Sequence, residues 1–377
     1  MSRPIVHLTP GCFDKGGISR YNRYQIRALR EITSARVEVL SVLGPGPDAF
    51  EDPFDVAFFA GGTRKRDKVG FIARAARTVA QLRPAWVVAG HVNLSSLAHV
   101  LARSVGAKSV LDVYGLEVWS GLRRDATWGL RHVDHVVSDC HFTARYVEDE
   151  GLRSRDSIDV VWDCVDLERF SPGSPRPDVL TRYGIPDPNT GKNLVTLGRL
   201  SQSAAHKGYD RLLAAFARVA ARVPELRLIY AGRGDLVEPL RAEAAERGLS
   251  DRVFFTGMVH EDHLPDVYRA AHVFSLVSDR GVGRGEGIPL TPLEASACGV
   301  PILVGNHDGS QEAIMDGNGF VLDPFDLEAH AAKIELLVRD ESARTTAGAA
   351  AVAVARREFS YEGFREKHAR LLERWAR

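Results

Sequence analysis

The chain has 377 residues, of which 45% are hydrophobic and 26% charged, and its formal net charge at pH 7 is zero. The length predicts about two domains, and the balanced charge excludes a nucleic-acid-binding protein that relies on bulk positive charge. The four cysteines stand far apart without a C-x-x-C pair, which argues against a disulfide framework. No apolar run is long enough for a signal peptide or a membrane helix, so we expect a cytoplasmic protein.

Short apolar runs rich in β-branched residues alternate with amphipathic stretches through the first half of the chain. The predicted strands cover residues 5–8, 37–42, 55–59, 86–89, 109–113, 135–138 and 158–161. Helical patterns fill most of the gaps, for example at residues 19–31, 69–82, 95–105 and 142–150. This alternation predicts a parallel sheet covered by helices on both faces.

Five prolines between residues 172 and 188 interrupt this rhythm and predict a linker at residues 173–192. A second series follows, with predicted strands at 194–197, 226–231, 253–255, 273–276, 301–304 and 320–322, and helices at 209–222, 236–247 and 292–298. We expect an N-terminal domain at 1–172, a C-terminal domain at 193–358 and a final helix at 359–377. Both domains are predicted to be doubly wound, Rossmann-like α/β folds, which bind ligands at the carboxyl ends of their strands.

Two cations follow the first strand of the predicted C-terminal domain. Arg199 leaves the end of that strand, and Lys207 precedes the next helix. Gly198 and Gly208 flank the pair and permit close backbone approach. Solvated surface charges are the alternative, but two cations beside a helix N-terminus favour an anion site, such as one for phosphate.

A glycine-rich segment of the same domain leads into a later helix and carries two acids, Glu286 and Glu294. Glu294 is expected within the first helical turn, where the helix dipole alone would favour a carboxylate. In the functional interpretation, both carboxylates bind sugar hydroxyls, and backbone N–H groups near Leu290 and Thr291 face a phosphate. Both interpretations stay open on these residues alone.

Two weaker glycine signals follow other strands. Gly16 and Gly17 lie between the first strand and the first helix, where amides can bind an anion, but a tight βα turn has the same sequence. Gly232 opens a Gly-Arg-Gly turn that lacks the third glycine of a dinucleotide fingerprint. We interpret Gly232 as part of a loop near a nucleotide base, and the incomplete fingerprint argues against an NAD enzyme.

In this order the segments resemble the retaining glycosyltransferase family 4, whose members include bacterial mannosyl- and glucosyltransferases. The matching motifs are Gly-Gly-Ile-x-Arg at residues 16–20, Asp-Cys-Val-Asp-x3-Phe-x-Pro at 163–172, Gly-Arg-Leu and Lys-Gly within 198–208, Ala-Gly-x-Gly at 231–234, and the two glutamates with Ala-x-Ala-Cys-Gly-x-Pro at 295–301. The resemblance spans nearly the whole chain. It implies the GT-B fold, in which two Rossmann-like domains face each other across a cleft, and a C-terminal helix that returns to the first domain.

The resemblance also implies roles for individual residues. Arg199 and Lys207 would bind the diphosphate of a nucleotide sugar, Glu294 the ribose hydroxyls and Glu286 the transferred sugar. Gly17 would approach the phosphate from the other domain when the cleft closes. The catalytic candidates in the C-terminal domain are therefore Arg199, Lys207 and Glu286.

The sequence departs from the family on the expected acceptor side. Many members have a His-Gly after the fifth N-terminal strand, whereas this chain has Tyr114-Gly115, with Glu117 close by. Tyr114 is a poor general base at neutral pH, because an unperturbed tyrosine has a pKa of about 10. His91, after the preceding strand, is the candidate catalytic substitute, although a lone loop histidine is more often structural.

The histidine pairs of the chain raise the question of a metal site. His260 with His263, and His132 with His135, do not form H-E-x-x-H, and the chain has no Asp-x-Asp motif. The cations expected at the diphosphate would make a metal unnecessary. We therefore expect no metal and no other cofactor.

These observations predict an enzyme that moves a hexose from a nucleotide sugar to a glycan or lipid-linked saccharide acceptor with retention of configuration. Mannose from GDP-mannose and glucose from a UDP donor are the two donors considered. The alternatives are a GT-B phosphorylase, a transferase with a soluble acceptor, and a sugar-nucleotide-binding protein without turnover. The intact donor-site motif argues against the last of these.

Basic residues are concentrated in residues 1–83, which carry 14 Lys or Arg against 8 Asp or Glu. On the first predicted helix Arg20, Arg23, Arg27 and Arg30 recur at steps of three or four residues and form one stripe. A second group follows at residues 64–77. A solvated helix face is the alternative, but a lipid-linked acceptor predicts reversible peripheral association with the anionic inner face of the plasma membrane.

Overall fold

The computed structural model describes residues 3–14, 16–46, 55–281 and 283–376, and the chain divides into two compact units. Unit 1 consists of Met1–Cys164 and Tyr361–Arg377, and unit 2 consists of Val165–Ser360. The division therefore falls after residue 164, whereas the sequence predicted a first domain ending at residue 172.

Unit 1 is built on a seven-stranded sheet. Its strands are β1 (Ile5–Thr9), β2 (Val37–Ser41), β3 (Phe58–Phe59), β4 (Trp86–Ala89), β5 (Lys108–Val113), β6 (His135–Ser138) and β7 (Ile158–Val160). Its first helices are α1 (Gly17–Ile32), α2 (Lys65–Leu82), α3 (Ser95–Ser104), α4 (Leu116–Trp119), α5 (Arg124–His132) and α6 (His141–Asp149). The strand order is β3-β2-β1-β4-β5-β6-β7, and every pair is parallel. The order reverses between β1 and β4, so the loops after these two strands meet at the ligand-binding edge typical of such sheets.

Unit 2 repeats this architecture with six strands. They are β8 (Lys192–Leu197), β9 (Leu226–Ala231), β10 (Val253–Phe255), β11 (Val273–Leu276), β12 (Ile302–Gly305) and β13 (Gly319–Leu322). The helices are α7 (Pro177–Tyr183), α8 (Tyr209–Ala220), α9 (Val237–Glu246), α10 (Leu264–Arg269), α11 (Leu290–Ala297), α12 (Leu327–Arg339) and α13 (Glu341–Glu358). The parallel order β10-β9-β8-β11-β12-β13 reverses between β8 and β11.

The segment predicted as a linker is folded into unit 2. Pro177 occupies the first turn of α7, where its missing N–H costs nothing, so it starts a helix instead of breaking one. The Arg176 guanidinium and main-chain N–H both donate to the buried Asp266 carboxylate at 2.9 Å. Tyr183 adds a hydrogen bond to His263 at 2.9 Å. Proline density therefore predicted a turn-rich segment correctly but not its attachment to a buried charge.

The predicted strand at residues 55–59 is shorter in the structure. Only Phe58–Phe59 form the strand β3, although Ala57 and Ala60 on either side also donate main-chain hydrogen bonds to β2. The helix predicted to begin at residue 292 begins at Leu290, since a proline in the first helical turn leaves no hydrogen bond unmade.

The C-terminal helix, α14 (Tyr361–Trp375), belongs to unit 1. The Phe364 ring packs edge-on against Tyr21 of α1 with the ring centroids 5.2 Å apart, and Trp375 stacks on His135 at 4.7 Å. Aromatic pairs in these geometries stabilise beyond the area that they bury. Unit 1 is therefore completed by a segment distant in sequence.

A buried polar chain runs between the sheet of unit 1, α1 and α14. Gln25 accepts from His7 Nε2 at 2.8 Å, donates to Asp112 Oδ1 at 2.8 Å, and lies 3.2 Å from His368 Nε2. Burial lowers the pKa of His7 and of His368 to about 4 and raises that of Asp112 to about 7. Both imidazoles are therefore neutral at pH 7, and the Gln25 amide links three groups that water cannot solvate.

Three of the four arginines predicted to form a basic stripe on α1 bind groups within unit 1. Arg23 is buried and donates to the carbonyl oxygens of Cys12 (2.9 Å) and Asp14 (2.7 Å). Arg27 pairs with Glu31 at 2.9 Å, and Arg30 donates to the carbonyl oxygen of Asp55. Arg23 is therefore not available to a membrane surface, whereas Arg27 stays 57% exposed beside Glu31, and binding of a membrane by this stripe stays a prediction. None of the helices described is both long and apolar enough to cross a bilayer.

We expect Gln25→Ala to lower the free energy of unfolding of unit 1 by about 2–4 kcal/mol, because it leaves several buried polar groups without a partner. All five tryptophans lie in unit 1, so their fluorescence during urea unfolding reports this unit alone. Gln81→Ala is the matched control, since Gln81 is an exposed glutamine on α2. Equal stability of the two variants would show that the polar chain is not important for unit 1.

Candidate active site

The loops after β8 and β11 lie at the topological switch point of unit 2. The first loop carries Arg199 at the end of β8 and Lys207 just before α8. The second carries Glu286 on its way to α11. The strand order therefore brings together Lys207 and Glu286, which are about eighty positions apart in the sequence, and their side chains are in direct contact.

The carboxylate of Glu286 is held by two consecutive residues of the first loop. Lys207 Nζ lies 2.6 Å from Glu286 Oε1, and His206 Nε2 lies 2.7 Å from the same oxygen. Burial alone would raise the pKa of Glu286, but the charge of Lys207 and the hydrogen bond from His206 outweigh it and lower the pKa to about 2. Glu286 is therefore ionised at neutral pH and is a weak base.

The main chain of Glu286 is anchored separately. Its N–H donates to Asp308 Oδ2 at 2.9 Å, and Ser278 Oγ donates to the same oxygen at 2.8 Å. Burial raises the pKa of Asp308 to about 6. Asp308 follows β12. Loops after three neighbouring strands, β8, β11 and β12, therefore fix the position of Glu286.

Arg199 extends from the end of β8 with an exposed side chain. The adjacent Gly198 is required by Tyr209, because an ideal Cβ at Gly198 would lie 2.5 Å from the Tyr209 hydroxyl. That hydroxyl is buried without a hydrogen-bond partner among the described residues. Burial and the negative charge of Glu286 raise the pKa of Tyr209, and the positive charge of Arg199 opposes this shift. Arg199 thus belongs to the same electrostatic neighbourhood as Glu286 and Lys207.

Gly232 is required for backbone packing between two loops, whether or not a ligand binds. Its φ is 139°, and an ideal Cβ would lie 1.9 Å from the Gly198 carbonyl oxygen. The loops after β8 and β9 therefore pass each other in backbone contact, which only glycine permits. A contribution of Gly232 to nucleotide binding stays a prediction.

Glu294 lies one turn into α11 and is 2% exposed. The hydroxyl of Tyr268 donates to Glu294 Oε2 at 2.6 Å. Leu290 and Thr291 form the start of α11, where the main-chain amides have no helical partner. Thr291 Oγ1 is buried and makes no hydrogen bond to the described residues. The arrangement supplies a fixed carboxylate and unpaired donors on one helix.

In unit 1, the turn that contains Gly16 and Gly17 is already closed by a carboxylate. Asp14 accepts from Gly16 N–H at 2.7 Å and from Ser19 Oγ at 2.6 Å. Nothing lies within 4 Å of an ideal Cβ at Gly17, so local packing does not explain this glycine. An anion at this turn would have to share it with the Asp14 charge.

Tyr114 and Glu117 are tied to each other after β5. The Tyr114 N–H donates to Glu117 Oε1 at 2.6 Å, and the buried Tyr114 hydroxyl accepts from Asn22 Nδ2 at 3.1 Å. Burial raises the pKa of Glu117 to about 7 and that of Tyr114 well above its usual value. Tyr114 is therefore protonated and cannot act as a base at neutral pH.

His91 begins a short helical turn after β4. Its Nδ1 accepts from Asn93 N–H at 3.1 Å, and burial lowers its pKa to about 4. At neutral pH the ring is uncharged with its proton on Nε2, so in this geometry it can donate a hydrogen bond at Nε2 but cannot accept a proton there. In this geometry His91 can therefore serve catalysis as a hydrogen-bond donor but not as a general base, and its catalytic role stays a prediction.

The two histidine pairs predicted not to bind a metal have partners within the protein. His132 stacks on Trp128 at 4.5 Å, and His260 accepts from the Asp262 N–H. Within residues 3–14, 16–46, 55–281 and 283–376, no three His, Cys, Asp or Glu side chains are grouped to hold a metal ion.

Three site residues were not predicted: His206, Asp308 and Ser278. His206 directly precedes Lys207, which is the one sequence signal that could have drawn attention to it. Asp308 and Ser278 carry no such signal, since their contact with Glu286 depends on the order of β11 and β12 in the sheet.

Comparison with known proteins identifies the family of this chain. Residues 15–169 match Glycosyltransferase Family 4, and residues 185–353 match Glycosyl transferases group 1. The chain is 31% identical over 283 residues to the GDP-mannose-dependent alpha-(1-6)-phosphatidylinositol monomannoside mannosyltransferase of Mycolicibacterium smegmatis, covering 72% of this chain and 71% of the relative. The protein of the same name from Mycobacterium tuberculosis is 29% identical over 369 residues, covering 93% of this chain and 92% of the relative.

Two solved structures share the fold at low sequence identity. Anabaena Alr3699/HepE in complex with UDP has a TM-score of 0.79 at 17% identity, covering 98% of this chain and 99% of the other. Sucrose-phosphate synthase from Thermosynechococcus elongatus has a TM-score of 0.76 at 19% identity and covers 99% of both chains.

Fold and site together define a GT-B glycosyltransferase. The chain belongs to Glycosyltransferase Family 4 and is a hexosyltransferase. The predicted family, fold and enzyme class are confirmed, whereas the roles of the individual site residues stay predictions.

We expect Lys207→Ala and Arg199→Ala each to lower sugar transfer by about 100- to 1000-fold, because each removes a fixed charge from the predicted position of the leaving diphosphate. Release of nucleoside diphosphate measures the effect, and circular dichroism checks the fold. Arg218→Ala is the control, since Arg218 points away from the site and pairs with Glu328. Turnover near that of the wild type would remove Lys207 or Arg199 from the mechanism.

Glu294→Ala is expected to weaken binding of free GDP or UDP by about 10-fold or more, because it removes a hydrogen-bonded carboxylate from the predicted ribose site. Glu286→Ala should instead reduce transfer more than it reduces nucleotide affinity. Calorimetry and initial rates on both variants separate the two effects. The reverse pattern would mean that the two carboxylates have exchanged roles.

Proposed function

We propose that this enzyme transfers a hexose from a nucleotide sugar, with retention of configuration, to a glycan or lipid-linked saccharide acceptor in cell-surface polysaccharide or glycolipid synthesis. The observation that carries the proposal is the ionised Glu286 held by Lys207 and His206 beside Arg199. The proposal assigns the cations to a diphosphate and the fixed carboxylate to sugar hydroxyls. GDP-mannose and UDP-glucose are the donors to test first, because relatives use GDP-mannose and a structural neighbour binds UDP.

In the proposed mechanism, the bond between the anomeric carbon and the diphosphate oxygen breaks, and the diphosphate leaves with a new negative charge. Lys207, Arg199 and the amides at the start of α11 stabilise that charge without reorganising. The acceptor hydroxyl attacks from the same face and gives its proton to the departing phosphate oxygen. Glu286 is too weak a base to take this proton, since its pKa is about 2.

The direct test is nucleoside diphosphate release from GDP-mannose and UDP-glucose with a panel of saccharide and lipid-linked saccharide acceptors. Nuclear magnetic resonance of the product gives the anomeric configuration. Release in the presence of acceptor, with the donor configuration kept, supports the proposal. An inverted product, or release only with orthophosphate as acceptor, would contradict it and favour a different GT-B reaction.

Transfer should persist in excess EDTA, because two side-chain cations serve the diphosphate in place of a metal. Rates measured with and without EDTA, and after addition of magnesium or manganese, check this expectation. A loss of activity that either ion restores would contradict the metal-independent mechanism.

We further propose that unit 1 binds an anionic membrane surface through α2. Val69 and Ile72, one turn apart on this helix, are 59% and 49% exposed and form a small apolar patch. Exposed basic residues surround them: Arg64, Lys65, Arg66, Lys68, Arg74 and Arg77. Apolar side chains among cations are typical of a helix that lies in the interface of an anionic bilayer.

Arg66→Glu/Lys68→Glu should weaken binding to vesicles containing anionic lipid by at least about 10-fold at low salt, because each basic residue near such a surface adds about 1 kcal/mol. Co-sedimentation with anionic and neutral vesicles measures the effect. Arg356→Glu/Arg370→Glu changes the net charge equally at exposed positions outside α2 and should have little effect. Equal binding of the wild type to both kinds of vesicle would exclude the membrane surface as a partner.

A further inference from the structure

His206 is fixed to the loop after β11 by both its main chain and its side chain. Its carbonyl oxygen accepts from Asp279 N–H at 2.8 Å and from Arg211 at 3.2 Å. Its ring is buried, and Nε2–H donates to Glu286 Oε1 at 2.7 Å. The ring therefore has a defined position and a defined partner, unlike a histidine that only fills a surface loop.

His206 and Lys207 hold the same oxygen in ways that differ once a ligand binds. The Lys207 ammonium has three donors and a full charge, so a diphosphate at the site competes with Glu286 for it. The Nε2–H of His206 is a single donor that is already engaged by Glu286. When a phosphate oxygen accepts from Lys207, His206 can still donate its hydrogen bond to the Glu286 carboxylate.

The loop that carries Glu286 is fixed elsewhere, but not at the carboxylate. Arg284 pairs with Asp279 at 3.1 Å and exchanges main-chain hydrogen bonds with Gly281, and neither contact reaches the Glu286 side chain. Asp308 fixes the Glu286 main chain through its N–H but does not contact the carboxylate. The direction of the carboxylate therefore depends on His206 and Lys207.

We propose that His206 is a positioning residue for sugar transfer: it keeps Glu286 oriented when the donor diphosphate engages Lys207, and it leaves Glu286 Oε2 for a hydroxyl of the transferred sugar. This inference rests on the proposed function. The inference assigns His206 to recognition of the sugar and not of the nucleotide. His206 has this role although it directly precedes Lys207, which is predicted to bind the diphosphate.

The test compares His206→Leu with His206→Gln, because the glutamine amide can place an N–H close to the position of Nε2 and leucine cannot. Calorimetry measures the affinity for GDP and UDP and for GDP-mannose and UDP-glucose. The ratio of the affinity for each nucleotide sugar to that for its nucleoside diphosphate gives the contribution of the sugar alone. For His206→Leu we expect about 2-fold or less change for the nucleoside diphosphate, and about 10-fold weaker binding of the nucleotide sugar, as for the loss of a charge-assisted hydrogen bond. The rate of transfer should fall by about 10- to 100-fold. His206→Gln should restore most of both.

Three results would overturn the inference. The first is wild-type behaviour of His206→Leu. The second is an equal loss of affinity for nucleoside diphosphate and nucleotide sugar, which would indicate general damage to the loop. The third is failure of glutamine to restore what leucine removes. If the wild type neither binds nor turns over any nucleotide sugar, the proposed function fails, and that outcome is distinct from all three.

Discussion

A partly buried carboxylate that stays ionised organises the candidate site. Taking the charge of Glu286 out of water is costly unless hydrogen bonds and an opposite charge replace the lost solvation. Here Lys207 and His206 supply both to one oxygen, while Asp308 binds the main-chain N–H of the same residue. The loops after β8, β11 and β12 are therefore joined through this single residue, by its side chain to the first loop and by its main chain to the third.

Two carboxylates of the site have pKa values shifted in opposite directions. Glu286 is lowered to about 2, whereas Asp308 is raised to about 6. Burial opposes the charge of both, but Glu286 has a lysine beside it, and Asp308 has only uncharged donors. Glu286 therefore keeps its charge for a ligand over the whole physiological range. Asp308 supports the loop as an acceptor for neighbouring N–H and O–H groups.

In unit 1 the basic residues of α1 and those of α2 have different surroundings. The arginines of α1 mainly bind carbonyl oxygens and acids of the unit itself, as Arg23 does with Cys12 and Asp14. The basic residues at the start of α2 remain exposed beside Val69 and Ile72. An excess of positive charge in the sequence is therefore not a measure of the charge that unit 1 presents to a partner. The exposed group on α2 is the one that we propose acts on an anionic surface.

The sequence by itself determined the two α/β series, the family and the donor-site motif that contains Arg199, Lys207, Glu286 and Glu294. Strand and helix periodicity, glycine turns and motif spacing are local properties, so they can be recognised without knowing what each element touches. The tertiary structure alone decided that His206 and Asp308 hold Glu286. It also decided that Arg23 is buried and that α7 joins unit 2. These outcomes depend on which loops meet at a sheet edge, and that is fixed by the strand order, in which β8 lies beside β11 and β11 beside β12. Contacts between residues far apart in sequence follow from this order, because the parallel strands of a sheet bring the loops at their carboxyl ends together at one edge.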